Sequence, residues 1–421
     1  MTLDLPGSPH LTYCTNIHRG ESWPEVRATI ARHVVAVKAR VVPNARFGVG
    51  LRLSARAAEE LARRDELARF KDFLRSVGLY IFTINGFPYG PFHGQPVKAD
   101  VYRPDWREDA RLHYTNLLAE LLADLLPSDG SDQIGTISTV PLAYAPGVGT
   151  EGIARCVERL LSHVARLIAI RERTGKTIAL ALEPEPGCVL ESAVDAVRFF
   201  DQMVFSRSAV RQLAHLTGLS LTDSESALRR HLGICFDACH LALQFIEPAE
   251  AVRQLSAAGI PIHKVQVSTG LRVVRDGSNH DLLRPLGQFA DAVYLHQAVV
   301  RSQDGTIARY MDLPELLQTL PTAQADWQEC RIHFHVPIVL ERLGPFFNTQ
   351  PFLHSLLDVL SAQPVAQHLE VETYTWEMLP EAYRTEQVEE SIARELMWVR
   401  DRLTHVPSAG ASIGNAASSY V

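Results

Sequence analysis

The chain has 421 residues, 46% of them hydrophobic and 21% charged, with a formal net charge of -7. It is long enough to bury a substantial core, and its acidic balance argues against nucleic acid as a partner, because phosphate binding needs a basic field. No apolar run approaches the roughly 20 residues of a membrane span and the N-terminus lacks a signal-peptide pattern, which predicts a cytoplasmic, non-spanning protein. The six cysteines, Cys14, Cys156, Cys188, Cys235, Cys239 and Cys330, form no C-x-x-C pair and read as reduced core thiols.

In chain order, residues 11–17 (LTYCTNI) read as a strand, and 23–40 as a helix with Val26, Ile30, Val34 and Val37 on one face. The unit recurs. Residues 47–53 (FGVGLRL) precede a helix opened by Ser54, an N-cap. Residues 79–85 (LYIFTIN) form a third strand, followed by a long excursion and a helix over 106–126. A fourth strand over 134–140 precedes a helix over 150–174, and 177–183 (TIALALE) is the fifth. Helices over 192–204 and 221–232 lead to the sixth strand, the apolar run that ends in Asp237-Ala238-Cys239-His240. A helix over 248–257 and a seventh strand over 262–268 (IHKVQVS) follow.

Strict alternation of strand and helix implies right-handed crossovers and a parallel sheet. Closure into a (β/α)₈ TIM barrel is the economical answer. After strand seven the pattern becomes irregular: 294–301 and 306–311 flank Asp304-Gly305 as a hairpin, an insertion over about 291–312. One strand too many remains. Residues 368–376 (HLEVETYTW) read as the closing strand, and 331–339 (RIHFHVPIV) as an inserted strand or a competitor for that place. A last helix over 387–403 completes a single barrel domain over 1–405, and 406–421, rich in Ser, Ala and Gly, reads as a disordered tail.

Ligands of metal type gather at the strand ends. Proline ends the ladder in Glu183-Pro184-Glu185-Pro186, so Glu183 sits at the rim. Asp237 and His240 follow strand six, Gln266 lies late in strand seven, and Glu370 and Glu372 share a face of the last strand. Carboxylates converging on one rim repel unless a cation lies between them, and oxygen ligands with an imidazole suit Mn²⁺, Mg²⁺ or Zn²⁺. The bland reading of D-x-x-H is a helix cap beside a core histidine. Of Glu370 and Glu372, one reads as a metal ligand and the other as the partner of a lysine or arginine, Glu372 being nearer the C-terminal end. His333 and His335 form an H-x-H pair that can chelate a metal or simply fill a core. Asn85, Phe87, Tyr89 and His93 belong to a Gly- and Pro-rich loop suited to the wall of a small polar ligand site. Asn16, His18, Arg52 and Glu185 stand at other strand ends, where Arg52 could hold a carboxylate, phosphate or hydroxyl pair.

These residues resemble the xylose-isomerase-like TIM barrels, whose signature is Glu after strand five, Asp-x-x-His after strand six, His on strand seven and Glu on strand eight. Glu183, Asp237 with His240, and Glu372 match it, whereas Gln266 stands where the family has its metal-binding His. The resemblance implies a metal-dependent sugar isomerase or epimerase acting on a small polyhydroxylated metabolite, with Glu183 and Glu372 as base, acid and ligands, and His240 on a substrate hydroxyl. Gln266 or the His333/His335 pair, here His335, would complete the metal site. The endonuclease IV branch implies a metal-dependent phosphodiesterase instead, and a third reading is a non-catalytic metabolite-binding barrel. More narrowly, LTYCTNIH with GESW, INGFPYGPFHG and EVETYTW resemble the EboE barrels of the bacterial ebo cluster. That resemblance implies a part in making or moving a small metabolite, with other ebo-cluster proteins, one of them in the membrane, as partners.

Overall fold

The computed structural model describes residues 1–94, 96–127, 134–275, 282–319, 326–384 and 386–404. The expected tail lies outside them. Eight parallel strands form one sheet: β1 (His10–Tyr13), β2 (Phe47–Arg52), β3 (Leu79–Asn85), β4 (Ile134–Thr139), β5 (Thr177–Leu182), β6 (Leu232–Asp237), β7 (Ile262–Val267) and β8 (His368–Val371). From β2 to β8 each strand pairs with the next, and β8 pairs with β1. The expected (β/α)₈ barrel is therefore formed, with nearly every strand residue buried because helices cover the outside.

Its seam lies between β1 and β2. Only one backbone bridge, Cys14 to Gly50, joins them there, and threonine side chains make up the difference. Thr12 Oγ1 donates to Gly48 O (2.7 Å) and accepts from Gly50 N (3.2 Å), while Thr15 Oγ1 accepts from Arg52 N (2.9 Å). Gly50 is a matter of space: a Cβ there would run into the Glu370 carboxylate and lie 2.6 Å from Tyr13 O. The helix at Ser54 starts as expected, with its hydroxyl accepting from Ala57 N.

Between β7 and β8 the insertion is larger than a hairpin and a strand. Among the described residues, six strands form an antiparallel sheet in the order Ile307–Tyr310, Ala298–Ser302, Trp327–His335, Gly270–Val274, Phe346–Asn348 and Arg342–Leu343. Trp327–His335 is thus an inserted strand, and it does not compete with β8. The expected closing strand stops at Val371, and Tyr374–Met378 turns into a 3-10 helix. A helix over Arg207–Thr217 had no counterpart in the sequence reading.

Candidate metal centre and cavity

Each acidic group reaches the rim for a local reason. Beyond β5, Glu183 N still bonds to Thr139 O (3.1 Å) before the prolines turn the chain away, and its buried Oε2 has no hydrogen-bond partner. Asp237 ends β6 and caps the helix Ala238–Ala242. Its Oδ1 accepts from His240 N (3.0 Å) and Ser268 Oγ (2.8 Å), whereas Oδ2 is buried without a partner. Cap and candidate ligand are two oxygens of one carboxylate. Glu372 follows β8, and its Oε1 accepts from Asn16 Nδ2 (2.7 Å) and Asn85 Nδ2 (3.2 Å). Glu370, one level below, pairs with Lys264 Nζ at 2.5 Å, both side chains fully buried.

Three imidazoles meet these carboxyls. Two of them, His333 and His335, come from the inserted sheet, and His240 comes from the short helix after β6. His240 Nδ1 lies 3.0 Å from Pro184 O and His335 Nδ1 lies 3.0 Å from Glu372 O. A carbonyl oxygen only accepts, so both Nδ1 atoms carry the proton and, in the neutral rings, both Nε2 atoms present lone pairs. His333 Nδ1 lies 2.7 Å from Gln297 Oε1, and His333 Nε2 faces His240 Nε2 at 3.0 Å. Asp237 Oδ2 is 3.9 Å from the Nε2 of His240 and of His335. Ligand atoms of His240, His333 and His335 lie within 4.8 Å of one another, as do those of Glu183, Asp237 and His240.

Charge is distributed unevenly. Burial, and then the Asp237 charge, pushes Glu183 up to about 8. Burial, with Glu183 and Asp237 behind it, pushes Glu372 well above the carboxylate range. Burial also opposes the Asp237 charge, but His240, His335 and the donors His240 N and Ser268 Oγ outweigh it and hold that carboxyl low. Burial disfavours a charged His240, yet Asp237, Glu185 and Glu183 raise it. Burial depresses His333 far below its usual value and brings His335 to about 4. Without a metal, a proton on Nε2 of either ring would bridge the 3.0 Å between His240 and His333. The unpartnered Glu183 Oε2, Asp237 Oδ2 and His335 Nε2 fit a divalent cation, which would take the place of such protons. A mixed imidazole and carboxylate set suits Zn²⁺ or Mn²⁺ better than Mg²⁺.

A cavity of about 60 Å³ opens beside the cluster. Glu183, Glu185, His240, Glu372, Asn85 and Phe87 line it. Its roof is aromatic: Phe92, Tyr294 and Tyr374 pack with ring centroids 5.0 to 5.4 Å apart. Lys98 ties the roof down, since its Nζ donates to Asp312 Oδ2 (2.7 Å), Tyr294 O (2.7 Å) and Asp291 O (3.0 Å).

Three residues expected at the ligand, Arg52, Tyr89 and His93, lie outside the cavity lining. Arg52 spends its guanidinium on Gly20 O (3.0 Å), Gly90 O (2.7 Å) and Glu21 (3.0 Å), which clamps the loop after β3. Tyr89 packs edge-on against Tyr114. His93 turns its ring against Phe92 outside the cavity lining, and burial followed by the Arg52 charge brings it to about 3. Gln266 is fully buried in register with Asp237 and Glu370; both its amide atoms lack partners, and it does not line the cavity. Conversely, Tyr102, Gln297 and Tyr374 carry site contacts that the sequence reading did not assign. Tyr374 had a local signal, two residues after Glu372, and Gln297 had none.

No protein-family model matches the chain, and no curated protein sequence matches it. Among solved structures it is similar to a xylose isomerase-like TIM barrel protein from Mycobacterium smegmatis in complex with magnesium, at 11% identity over 94% of this chain and 96% of that one (TM-score 0.48). It is similar to the IolI protein with a bound zinc atom, at 12% identity over 94% and 100% of the two chains (TM-score 0.44). An L-ribulose 3-epimerase aligns at 12% identity over 95% and 99% (TM-score 0.43). At these identities the likeness concerns the fold.

Proposed function

We propose that the chain is a metal-dependent isomerase or epimerase of a small, polyhydroxylated, sugar-like metabolite. The observation that carries this reading is the pair Glu183 and Glu372: two buried carboxyls, both pushed up, facing one cavity beside three converging imidazoles. Proton transfer at carbon near neutral pH needs carboxyls of that kind. Glu183, Asp237 and His335, with His240 and His333, would hold the cation, whose chemistry when bound is Lewis-acid polarisation of a carbonyl and its neighbouring hydroxyl. Asn16 and Asn85 hold Glu372 Oε1, which leaves Oε2 as the oxygen that takes or returns the proton. Phe87 and the roof rings exclude water from the reacting carbons.

The aromatic roof and the small cavity favour a metabolite over a nucleic-acid strand, which weighs against a phosphodiesterase of the endonuclease kind. The same small cavity also suits the other reading, a non-catalytic barrel that carries a metabolite, and the unpartnered Gln266 in the strand-seven position agrees with it. On the resemblance of its long motifs, we also propose that the ligand is made or handed on together with other ebo-cluster proteins.

The test needs no knowledge of the substrate. Protein reloaded with zinc or manganese is incubated with cell extract in deuterated water, and metabolites that gain one carbon-bound deuterium are sought. Glu372→Gln should abolish the gain. If no exchange occurs and a small molecule co-purifies tightly with the protein, the carrier reading replaces the enzymatic one.

A further inference from the structure

We infer that Gln297 is a positioning residue that locks His333 in its Nδ1-protonated tautomer, so that a lone pair and not an N–H faces the cluster. The inference deepens the metal reading above and rests on it for its consequence, though not for its geometry. Gln297 immediately precedes the strand Ala298–Ser302, is 2% exposed, and its carbonyl accepts from His333 N (2.8 Å) on the neighbouring strand. Its side chain then leaves the inserted sheet for two barrel loops. Nε2 donates to Pro186 O (2.8 Å), in the turn after β5, and to Tyr102 Oη (2.8 Å), in the excursion after β3.

Those two acceptors decide the orientation of the amide. Pro186 O is a carbonyl and can only accept, so the reversed amide would set oxygen against oxygen at 2.8 Å. The Tyr102 hydroxyl spends its own hydrogen on Glu185 Oε1 (2.7 Å), which leaves its oxygen to accept. Both amide hydrogens are therefore committed, and Oε1 is what remains for His333 Nδ1 at 2.7 Å. An acceptor at that place demands a proton on Nδ1.

The consequence appears on the other side of the ring. His240 Nδ1–H is held by Pro184 O, so in the neutral ring its Nε2 is a lone pair, 3.0 Å from His333 Nε2. Were His333 in the other tautomer, its Nε2–H would donate to His240 and the two rings would satisfy each other. Neither would then have an electron pair for a cation. Gln297 disfavours that arrangement and, in the neutral rings, leaves two lone pairs facing each other where a proton or a metal ion would bridge them, with the Tyr374 hydroxyl 3.4 Å from His333 Nε2. Outer partners that fix a ligand's tautomer commonly change metal affinity by roughly 10- to 100-fold.

The experiment reads the tautomer first. Metal-free protein with ¹⁵N-labelled histidine is examined by two-bond ¹H–¹⁵N correlation, His333 being assigned from a His333→Gln spectrum. Wild type should show His333 protonated at Nδ1, and Gln297→Leu should convert it to the Nε2–H form. Gln297→Glu, which keeps an acceptor at that place, should retain the wild-type tautomer even if it folds less stably. Zinc binding, measured by chelator competition, should weaken roughly 10- to 100-fold in Gln297→Leu and much less in Gln297→Glu. Wild type already in the Nε2–H form, or a Gln297→Leu spectrum unchanged from wild type, overturns the inference, as does a converted tautomer with unaltered zinc affinity. A protein that binds no zinc but still switches tautomer on Gln297→Leu keeps the inference and removes the metal reading.

Discussion

Glu395 couples the last helix to the floor of the site, and its charge makes stability depend on pH in a direction that can be worked out. It lies in the helix Val388–Thr404, 1% exposed, where Oε1 accepts from Ile338 N (2.8 Å) and from Thr373 Oγ1 (3.2 Å), next to Glu372. Burial outweighs those two donors and lifts the carboxyl from an ordinary 4.5 to about 7. A raised carboxyl means that the folded state binds the proton more tightly than the unfolded state does. Its contribution is therefore most favourable below pH 4.5, and stability is lost as pH climbs from 4.5 to about 7. At about 1.4 kcal/mol per pH unit, the full cost above that window is about 3 kcal/mol. Glu395→Gln keeps an acceptor for Ile338 N and cannot ionise. Urea unfolding of both proteins, metal-free and in chelator, should show the variant gaining on wild type by about 2–3 kcal/mol between pH 5 and pH 8. A stability difference that stays flat across that range would mean that Glu395 ionises freely in the fold, and the argument from burial would fail.

Removing one partner of a buried ion pair strands the other, so Lys264→Met should cost about 3–5 kcal/mol in urea unfolding, and Lys264→Met/Glu370→Leu should recover most of it; a loss under about 1 kcal/mol would show the pair to be solvated. Gly50→Ala pushes a methyl against Tyr13 O, a backbone atom with little room to move, and should lower stability by about 1–3 kcal/mol, visible as a lower thermal midpoint; an unchanged midpoint would refute the close approach. Asp237→Asn retains the cap through its remaining oxygen but should lose most of the bound metal by elemental analysis, and retention of wild-type metal would remove Asp237 from the centre. Phe87→Ala, at the cavity, should weaken binding of whatever metabolite co-purifies, whereas Tyr89→Ala, packed on Tyr114, should leave it unchanged; equal effects would contradict the placement of the two rings.

Much of the barrel is legible in the sequence because a parallel strand covered on both faces must be apolar along its length. LYIFTIN and TIALAL announce themselves for that reason, and the Pro-broken segment after Glu183 marks where a strand stops. The same local logic brings Glu183, Asp237, His240 and Glu372 to one end of the sheet, since every strand of a parallel barrel ends on the same rim. What periodicity cannot supply is the partner. Residues 331–339 (RIHFHVPIV) compete with a barrel strand in the sequence, and only the antiparallel ladders of Trp327–His335 to Gly270–Val274 and Ala298–Ser302 set that segment in the second sheet and deliver two imidazoles to the rim. Arg52 looks free until the chain folds Gly20 and Gly90 against it. Of the two glutamates on β8's face, Lys264 reaches Glu370, while Asn16, 356 residues away in sequence, holds Glu372. Gln297 carries no signal at all, because its role depends on which way an amide turns between a proline carbonyl and a phenol from two distant loops. Burial is written locally in the order of apolar residues, but hydrogen-bond direction is settled only when remote donors and acceptors are brought within 3 Å of one another.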